Sequence, residues 1–470
     1  MKKLNRSTAS KNQEKTRILQ FGNGNFLRAF VDWMIDIANE KGVFEGNIHT
    51  LQVHSPNKDP NMVAQDNLFH VVEEGLKDGN IYQKSRLITC IQDYSSIYVD
   101  YEAYLKLGEN QDLRFVISNT TEAGIVFDPD DRDYRQIPKT FPGKLSSLLY
   151  HRFYFFKGDP KKGLIFLPCE LIENNGIQLR ECILDYANLW NLPTEFSNWI
   201  RESNYFCNTL VDRIVPGFPK TRISEIQESL GLEDNLVVVA EPFHFWAIEG
   251  PELVKKEFPL DQAGLNVSFV EDLQPYRTRK VRILNGAHTA LVPFAYLKGL
   301  RTVRESVEHA EIGVWLKSLI FEEIIPTLDM PKEELELFAG QVLERFANPF
   351  IVHELQSIAL NSISKFRVRV LPSLLSYFEK TGKWPEKLTV SFAALILFYR
   401  GELHGEKLPL KDNPEILEFF KRTWEIPGRE ELLAEVLKKQ ELWGSDLNQL
   451  SGLSTSLLHA MENLEKDLAS

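Results

Sequence analysis

The chain has 470 residues and a formal net charge of -12, and 43% of its residues are hydrophobic. This is enough polypeptide for two or three globular domains with their own cores. The acidic balance argues against nucleic acid and anionic membrane as general partners. An anionic small molecule would therefore need a local cationic pocket.

The cysteines form no CxxC pair and no metal-finger spacing, so we expect free thiols in a reducing compartment. The first residues lack the apolar segment of a secretory signal, and the longest apolar run, Leu388 to Tyr399, is too short to span a bilayer. These features predict a cytoplasmic protein without a membrane partner, and they leave its oligomeric state open.

The first structured stretch predicts a strand, a glycine turn and a helix. Thr16 to Phe21 is a short apolar strand, Gly22 and Gly24 follow, and helical periodicity runs from Leu27 to about Glu40. This order is the context that a dinucleotide-binding loop requires. Gly22 permits the tight turn, and Gly24 lets the backbone approach a pyrophosphate held by free amides at the helix start. Leu27 replaces the third glycine of the GxGxxG pattern, so a simple tight turn remains the alternative.

Further buried strands are predicted at 47–54, 114–119, 163–168 and 236–240. Ligands of open α/β sheets gather beyond the carboxyl ends of such strands. Asn119 and Glu122 are therefore candidates beside a nicotinamide, unless this segment only caps the next turn. Glu241 is a candidate proton-relay carboxylate or a structural one. No acidic residue ends the second strand, since Asp59 comes late, so the residues leave NAD and NADP both open.

Strand signals almost vanish after about Pro275. Helical stretches follow one another at 276–298, 304–325, 332–346, 351–377, 388–400, 413–424, 429–442 and 453–467. We therefore predict an α/β protein with a Rossmann-like dinucleotide-binding domain at 1–274 and an all-α domain at 275–470.

Lys280, Asn285 and His288 stand near the start of the first of these helices. At about 100° per residue, their side chains fall within an arc of roughly 140°. One helical face can then present a proton donor, a hydrogen-bond donor to an oxyanion and an anchor for a hydroxyl. A solvated polar face is the alternative. The apolar run that follows predicts burial, however, and a buried lysine needs a reason.

This pattern, Lys-x4-Asn-x2-His running into Thr-Ala-Leu-Val-Pro, resembles the polyol-specific long-chain dehydrogenases, the family of mannitol 2-dehydrogenase and the hexuronate reductases. Phe21 to Ala29 is similar to the family's glycine loop, Phe-Gly-x-Gly-x-Phe-x-Arg-Ala. The resemblance implies that Lys280, Asn285 and His288 are catalytic. The residues that it implies for cofactor binding are Ile18, Leu19, Gln20, Phe21, Gly22, Asn23, Gly24, Asn25, Phe26, Leu27, Arg28 and Ala29.

One departure from the family pattern concerns the second oxyanion donor. Mannitol-type members carry Cys-Asp-Asn where this chain has Cys169, Glu170 and Leu171. The donor is then absent, or comes from Asn174 or a backbone amide. The motif Cys169-Glu170-Leu171 resembles the branch of the family that interconverts D-altronate and D-tagaturonate with NAD in hexuronate catabolism. NAD is therefore the expected cofactor. The segment that contains Asp212 and Arg213 matches the family's Val-Asp-Arg-Ile. Asp212 then either binds a substrate hydroxyl or forms a structural ion pair with Arg213.

The resemblance implies a hydride transfer in which Lys280 is the general acid and base, with no metal. In the oxidative direction Lys280 must be neutral, and a neighbouring Arg277 or Arg282 would favour that form. Lys365 and Arg369 are candidates for a clamp on a substrate carboxylate, or they belong to a solvated basic face. Fructuronate reduction or mannitol-type polyol oxidation are the alternatives within the family. A non-catalytic NAD-binding protein is the alternative outside it.

Overall fold

The computed structural model describes residues 1–8, 14–53, 55–120 and 124–469. The chain divides into two compact units. The first comprises 1–74 and 82–273, and the second comprises 75–81 and 274–470. His54 and Glu122, which the sequence places near predicted strand ends, lie outside the described residues.

A six-stranded sheet organises the first unit, and all of its pairings are parallel. In chain order its strands are Thr16–Phe21, Asn47–Gln52, Ile91–Ser96, Phe115–Ser118, Ile165–Pro168 and Tyr205–Phe206. Counted along the chain they lie in the order 3-2-1-4-5-6, which is the Rossmann order. The direction of winding reverses between the first and fourth strands, where dinucleotides bind in such sheets.

Helices cover both faces of this sheet, and alternation along the strands sorts their side chains. Ile18 packs in one core cluster with Leu27 and Phe30, which belong to the helix after the first strand. Its neighbour Leu19 points to the other face and packs with Leu148. Because both faces are buried, strands such as Phe115–Ser118 and Ile165–Pro168 are nearly continuous apolar runs, and the sequence predicts them.

The remaining strands of the chain form smaller sheets. Their bounds are Lys2–Lys3, Phe69–Lys77, Asn80–Ile88, Asn208–Asp212, Leu232–Glu233, Val238–Ala240, Phe245–Glu249, Val267–Val270, Glu402–Leu403 and Glu406–Lys407. The helices of the first unit are Asn25–Leu27, Arg28–Asp32 (π), Trp33–Glu40, Pro60–Ala64, Tyr101–Lys106, Leu107–Glu109 (3-10), Phe141–Phe155, Pro160–Lys162 (3-10), Asn175–Leu189, Thr194–Ser203, Ile223–Leu230, Glu252–Glu257 and Leu260–Ala263 (3-10).

The second unit is helical apart from short strand pieces. Its helices are Gln274–Arg279, Lys280–Asn285 (π), Gly286–Leu297, Val303–Glu308, Ala310–Ser318, Leu319–Ile324 (π), Ile325–Thr327 (3-10), Lys332–Phe346, Leu355–Ile358, Ser362–Arg369, Leu371–Thr381, Glu386–Phe398, Pro414–Thr423, Arg429–Lys438, Gln440–Trp443, Leu447–Gln449 (3-10) and Leu453–Ala469. The predicted fold class, a Rossmann-like domain followed by a helical one, is confirmed. The predicted helix at 351–377 is divided into three.

Helix Gly286–Leu297 lies in the core of the second unit. All of its residues are buried except His288 and Tyr296. It packs against Glu386–Phe398, where Ser391 Oγ donates to the Ala290 carbonyl at 3.0 Å. In the described part of the chain, no helix is long and apolar enough to cross a membrane.

Candidate functional site

The glycine loop follows the first strand at the point where the sheet reverses direction. Gly22 has a φ of +111°, which only glycine adopts without strain. Its N–H donates to the Leu51 carbonyl at 3.0 Å, and its own carbonyl accepts from Gln20 Nε2 at 3.1 Å. A Cβ placed on Gly24 would meet no atom within 4 Å, so this side of the loop is open. The geometry leaves room for a ligand to approach the backbone of Gly24.

The helix after the loop begins at Asn25 and runs through a π turn, Arg28–Asp32, to Glu40. The first amides of a helix have no partner within it, so its N-terminus can hold an anionic group. Residues 22–26 of the loop are partly or fully exposed, whereas 18–21 and 27–29 are buried. Of the predicted cofactor-binding residues, only the exposed group can therefore present side chains to a ligand directly. The buried ones can support it.

Arg28 belongs to the buried group. Its Nη1 donates to the Leu236 carbonyl at 2.6 Å and its Nη2 to Asn25 Oδ1 at 2.7 Å, and the guanidinium lies over the Phe69 ring. Burial lowers its pKa, although Asp32 opposes that effect. Arg28 is thus held by hydrogen bonds inside the first unit and is not one partner of an ion pair on the surface. Its link to Asn25 ties it to the exposed end of the helix, and its role toward a cofactor stays a prediction.

The other predicted strand ends of the first unit hold their polar groups in local bonds. Asp59 caps a short helix by accepting from the Asn61 amide at 2.9 Å. Asn119 Nδ2 donates to the Cys169 carbonyl at 3.1 Å. Asp212 is buried at the end of strand Asn208–Asp212. Asp59, Asn119 and Asp212 remain candidates.

Glu170 joins the ends of two sheet strands. Its buried carboxylate accepts from Ser118 Oγ and from the amide and hydroxyl of Thr120. Burial raises the pKa of Glu170, and these bonds oppose the increase. Leu171, which stands where the family pattern has an oxyanion-binding asparagine, is 61% exposed. Asn174, the alternative donor, is exposed too and adopts a left-handed conformation with a φ of 52°.

The next asparagine, Asn175, is fully buried, and its Nδ2 donates to three backbone carbonyls within 3.1 Å. It is therefore a structural group. Glu241 and Arg213 also take part in buried bonds. Glu241 Oε1 accepts from the Ile214 amide, and Arg213 forms its ion pair with Glu73 at 2.8 Å.

Lys280 and Asn285 lie at the two ends of a π-helical turn in the second unit. The sequence predicts an α-helix, in which five residues would separate their side chains by roughly 140°. The hydrogen bonds of a π turn run from residue i to i+5, and here the Gly286 amide donates to the Val281 carbonyl. Each turn is wider than in an α-helix, so five residues make only slightly more than one turn. Lys280 and Asn285 therefore lie closer to one face than the sequence predicts. Both side chains are half-buried.

Helix Lys332–Phe346 fixes this segment at two points. Arg279, directly before Lys280, donates to Glu334 at 2.6 Å, and its guanidinium lies over the Phe338 ring. At the other end, the His288 ring stacks on Phe346, with centroids 3.9 Å apart and an interplanar angle of 17°. The two helices therefore run side by side in the same direction, and helix Lys332–Phe346 holds the segment from Arg279 to His288 at both ends.

The His288 imidazole sits among cationic and aromatic groups. His353 meets it edge-on at 5.0 Å between centroids. Burial lowers the pKa of His288 well below its ordinary value, and His353, Arg345 and Arg369 lower it further. The ring is therefore neutral. Its Nε2 is buried without a hydrogen-bond partner among the described residues, so one bonding position is available.

Two arginines near this site have no carboxylate partner among the described residues. Arg369 is half-buried, and its only polar contact in the described structure is Thr289 Oγ1, at 3.5 Å. Arg282 is half-buried, with a 3.4 Å contact to Ser373 Oγ. Burial lowers the pKa of both, and within the described chain no acidic group opposes the shift. Lys365, the other predicted clamp residue, donates instead to the Ile358 carbonyl at 2.9 Å.

Sequence patterns alone did not reveal Arg345, Phe346 and His353. They lie more than fifty positions after His288, and no short motif connects them to it. The only local signal is the break at Asn348-Pro349, which predicts that a helix ends nearby. In the described part of the chain, no group of three or more His, Cys, Asp or Glu side chains is arranged to hold a metal ion.

Comparison with known families covers nearly the whole chain. Residues 16–262 match the mannitol dehydrogenase Rossmann domain, and residues 272–465 match the mannitol dehydrogenase C-terminal domain. The chain belongs to the mannitol dehydrogenase family. An oxidoreductase role with a nucleotide cofactor follows from membership of this family.

Curated relatives within the mannitol dehydrogenase family extend over almost the same length. The altronate oxidoreductase of Bacillus subtilis is 49% identical and aligns with 97% of this chain and 94% of its own. The altronate oxidoreductase of Bacteroides thetaiotaomicron is 45% identical, with coverage of 99% and 98%. The Escherichia coli altronate oxidoreductase is 44% identical, with coverage of 100% and 98%.

Two solved structures share the fold of this family member. A substrate-free D-sorbitol dehydrogenase has a TM-score of 0.82 at 22% identity and covers 99% of this chain and 98% of its own. Mannitol 2-dehydrogenase of Pseudomonas fluorescens, in a ternary complex with NAD and D-mannitol, has a TM-score of 0.67 at 23% identity, with coverage of 99% and 97%. These two likenesses concern the fold alone.

Proposed function

We propose that this protein interconverts D-altronate and D-tagaturonate with NAD as the cofactor. The observation that carries the proposal is the near full-length identity, 44–49%, to curated altronate oxidoreductases. The motif Cys169-Glu170-Leu171 favours the same altronate-oxidising branch of the family. A sugar acid of this kind presents a carboxylate, a ketone or hydroxyl, and a row of further hydroxyls.

Lys280, Asn285 and His288 have different roles at the reacting carbon. NADH, when bound, supplies the hydride that reduces the ketone carbon of D-tagaturonate. The Lys280 ammonium donates its proton to the carbonyl oxygen, and Asn285 Nδ2 stabilises the negative charge that develops there. In the oxidation of D-altronate, Lys280 must start neutral and take the proton from the hydroxyl. The π turn supports a joint action of Lys280 and Asn285, because it brings the two residues closer to one face of the helix.

His288 serves as a neutral hydrogen-bonding group. Its pKa is lowered well below the ordinary value by burial and by cations, so it does not compete with Lys280 as a proton donor. The unpartnered Nε2 is suited to bond a substrate hydroxyl beside the reacting carbon. Stacking on Phe346 fixes the plane of the ring.

Arg369 supplies the carboxylate site in this proposal, and Arg282 reinforces it. A half-buried guanidinium without an acidic partner is costly in an apo protein and becomes favourable when an anion binds. Arg369 also lies close enough to His288 to affect its pKa. A carboxylate at Arg369 and a hydroxyl at His288 can thus belong to the same sugar acid. This arrangement favours a keto acid over a neutral ketose.

Gly22 and Gly24 supply the cofactor site. The positive φ of Gly22 and the open side of Gly24 fit a pyrophosphate against the N-terminus of helix 25–40. NAD is proposed because the family resemblance implies it and because mannitol 2-dehydrogenase of Pseudomonas fluorescens binds NAD in its ternary complex. Among the described residues, no acidic side chain ends strand Asn47–Gln52 and so none decides between NAD and NADP.

The decisive experiment is an activity panel on the purified protein. D-tagaturonate, D-fructuronate and D-fructose are each assayed with NADH and with NADPH, and D-altronate and D-mannitol with the oxidised forms. We expect the highest kcat/KM for D-tagaturonate with NADH. Lys280→Met should reduce that rate at least about a thousandfold, as expected when a general acid is lost along with its field.

Lys332→Met is the matched control, since Lys332 is exposed and forms only a surface pair with Glu336. A preference for D-fructuronate or D-fructose would replace the proposed substrate with one of the family alternatives. Binding of NADH without consumption of any ketose would favour a non-catalytic protein. Unchanged rates in Lys280→Met would remove the proposed proton donor.

A further inference from the structure

Three buried polar side chains lie beneath the glycine loop, and the proposed chemistry does not use them. Gln20 and Thr50 are aligned on two adjacent strands of the large sheet, and Asp32 ends the π turn that follows the loop. All three are fully buried, at 0% exposure. Gln20 follows Ile18 by two positions and so lies on the same face of the sheet, the face that packs against the helix carrying Asp32.

Most of the polar atoms in this cluster lack partners. Gln20 Oε1, Thr50 Oγ1 and both carboxyl oxygens of Asp32 have no hydrogen bond to any described residue. Gln20 Nε2, in contrast, donates to the Gly22 carbonyl at 3.1 Å. Gln20 therefore holds the first peptide of the glycine loop, the one that follows the positive φ of Gly22.

The protonation state of Asp32 decides whether Gln20 can keep that bond. The Asp32 carboxyl lies beside the Gln20 amide, although neither of its oxygens meets the geometry of a hydrogen bond to a described residue. An ionised carboxylate only accepts hydrogen bonds, so it would attract the Gln20 NH2 group and compete with the Gly22 carbonyl for it. A protonated carboxyl instead donates its O–H to Gln20 Oε1 and leaves the nitrogen on Gly22.

We propose that Asp32, in its neutral acid form, is a positioning residue for the dinucleotide-binding loop and acts through Gln20 on the carbonyl of Gly22. The carboxyl proton gives Gln20 Oε1 the partner it lacks. The amide is then fixed in the one orientation that also satisfies the loop. Loss of this proton releases the loop.

The surroundings of Asp32 favour the neutral form. Burial raises the pKa of Asp32 to about 8, against opposing effects of Gln20 and Arg28, and Asp36 raises it further. Arg28 uses its terminal nitrogens on Leu236 and Asn25. Asp36 is ion-paired with Arg86 at 2.8 Å.

Cys90 is the remaining titratable group beside Asp32, and its Sγ donates to the Asp32 backbone carbonyl at 3.3 Å. Burial raises the thiol's own pKa, so it stays neutral. Among the described residues, none of these neighbours bonds an ionised Asp32 carboxylate. Asp32 is therefore the group whose charge changes as the pH rises through about 8.

The consequence rests on the dinucleotide binding proposed above. Affinity for NADH should fall as the pH rises from 7 to 9.5, because the loop loses its anchored carbonyl. Asp32→Asn replaces the acid with an amide of the same shape. Its NH2 group donates to Gln20 Oε1 at every pH, so the variant should keep wild-type affinity at pH 7 and lose the alkaline decline.

The test measures the NADH dissociation constant by fluorescence at intervals from pH 6.5 to 9.5. It compares the wild type with Asp32→Asn and with Asp36→Asn, a buried carboxyl one turn along the same helix. We expect the dissociation constant to rise about tenfold in the wild type, the size of one lost hydrogen bond, and to stay nearly constant in Asp32→Asn. Asp36→Asn should show the same tenfold rise at a lower pH, because Asp36 helps to raise the pKa of Asp32. Gln20→Met should bind NADH more weakly at every pH.

Hydrogen exchange of the loop amides, residues 22–27, gives a readout that needs no cofactor. At pH 7 the wild type and Asp32→Asn should protect these amides equally, and at pH 9 the wild type should exchange faster than the variant. Equal protection at both pH values would overturn the inference. So would parallel NADH profiles in the two proteins. A failure to bind NADH at any pH, with the exchange difference intact, would instead contradict the proposed cofactor.

Discussion

At the scale of single residues, His288 shows how neighbours set a side chain's chemistry. The folded protein keeps this ring neutral, whereas an unfolded chain protonates it below about pH 6.5. Unfolding therefore takes up a proton in acid, and this site makes the protein less stable as the pH drops through that value. We expect His288→Gln to show a smaller loss of unfolding free energy between pH 7.5 and pH 5 than the wild type.

Urea denaturation at the two pH values measures that difference. His459→Gln, at an exposed histidine of helix Leu453–Ala469, is the control and should retain the wild-type acid slope. The same His288 variant should turn over substrate about tenfold more slowly, since one hydrogen bond to the sugar is weakened. An acid slope identical to the wild type would mean that His288 protonates readily in the folded state.

Arg369 carries the expected selectivity for acids. Replacement by methionine keeps the bulk and removes the charge. We expect Arg369→Met to raise KM for D-tagaturonate about 10- to 100-fold, the size of a charge-assisted hydrogen bond, and to leave turnover of a neutral ketose nearly unchanged. Arg367→Met, two residues earlier on an exposed position, should change neither. Equal losses on acid and neutral substrates would argue against a carboxylate site at Arg369.

The three predicted catalytic residues are close in sequence, and this is why a pattern can pick them out. The residues that tune them are not. Phe346 reaches His288 from the end of helix Lys332–Phe346, His353 from the loop that follows this helix, and Arg369 from the end of helix Ser362–Arg369. Only the folded chain brings these groups together, so spacing rules cannot find them.

At the scale of elements, the sequence predicts four of the six strands of the large sheet, mainly through apolar residues that lie between turn signals. It does not predict Ile91–Ser96, which is mostly polar, or Tyr205–Phe206, which is only two residues long. Strand Asn47–Gln52 ends two residues earlier than predicted. The long strands Phe69–Lys77 and Asn80–Ile88 were missed, although Asp78-Gly79 between them is a strong turn signal. The π turn at Lys280–Asn285 has no sequence signature, because its register depends on the helices packed around it.

Gly286, the first residue after this π turn, allows two elements to approach closely. A Cβ there would lie 3.0 Å from the Arg369 carbonyl oxygen and 3.4 Å from that of Val281. Gly286→Ala should therefore push helix Ser362–Arg369 outward and displace Arg369. We expect a loss of about 1–3 kcal/mol in unfolding free energy, together with a higher KM for D-tagaturonate.

Gly340→Ala is the matched control, since a Cβ on this helical glycine would meet nothing within 4 Å. Helix propensity should make it neutral or up to about 1 kcal/mol more stable, with unchanged kinetics. Chemical denaturation and steady-state assays compare the two variants. A Gly286→Ala protein as stable and active as the control would mean that the close approach has no functional weight.

At the scale of the whole molecule, a chain of net charge -12 concentrates Arg282, Arg345 and Arg369 in one helical unit. We expect the nucleotide to bind the Rossmann-like unit, and binding at its glycine loop can be tested without catalysis. A ligand that binds only the folded state adds RT ln(1 + [L]/Kd) to stability, about 2.7 kcal/mol at a hundredfold excess over Kd. For a unit of this size we expect NADH to raise the melting temperature by roughly 5–10 °C.

Gly24→Ala separates the folding of this loop from its binding. The added methyl group projects into open space, so the variant should melt at the wild-type temperature without cofactor. It would, however, stand between the backbone and a pyrophosphate, so the NADH-dependent increase should largely disappear. Thermal melts with NADH and with NADPH check both points and rank the two cofactors. An NADH-dependent increase of full size in Gly24→Ala would place the pyrophosphate elsewhere, and the same increase with NADPH would contradict a preference for NAD.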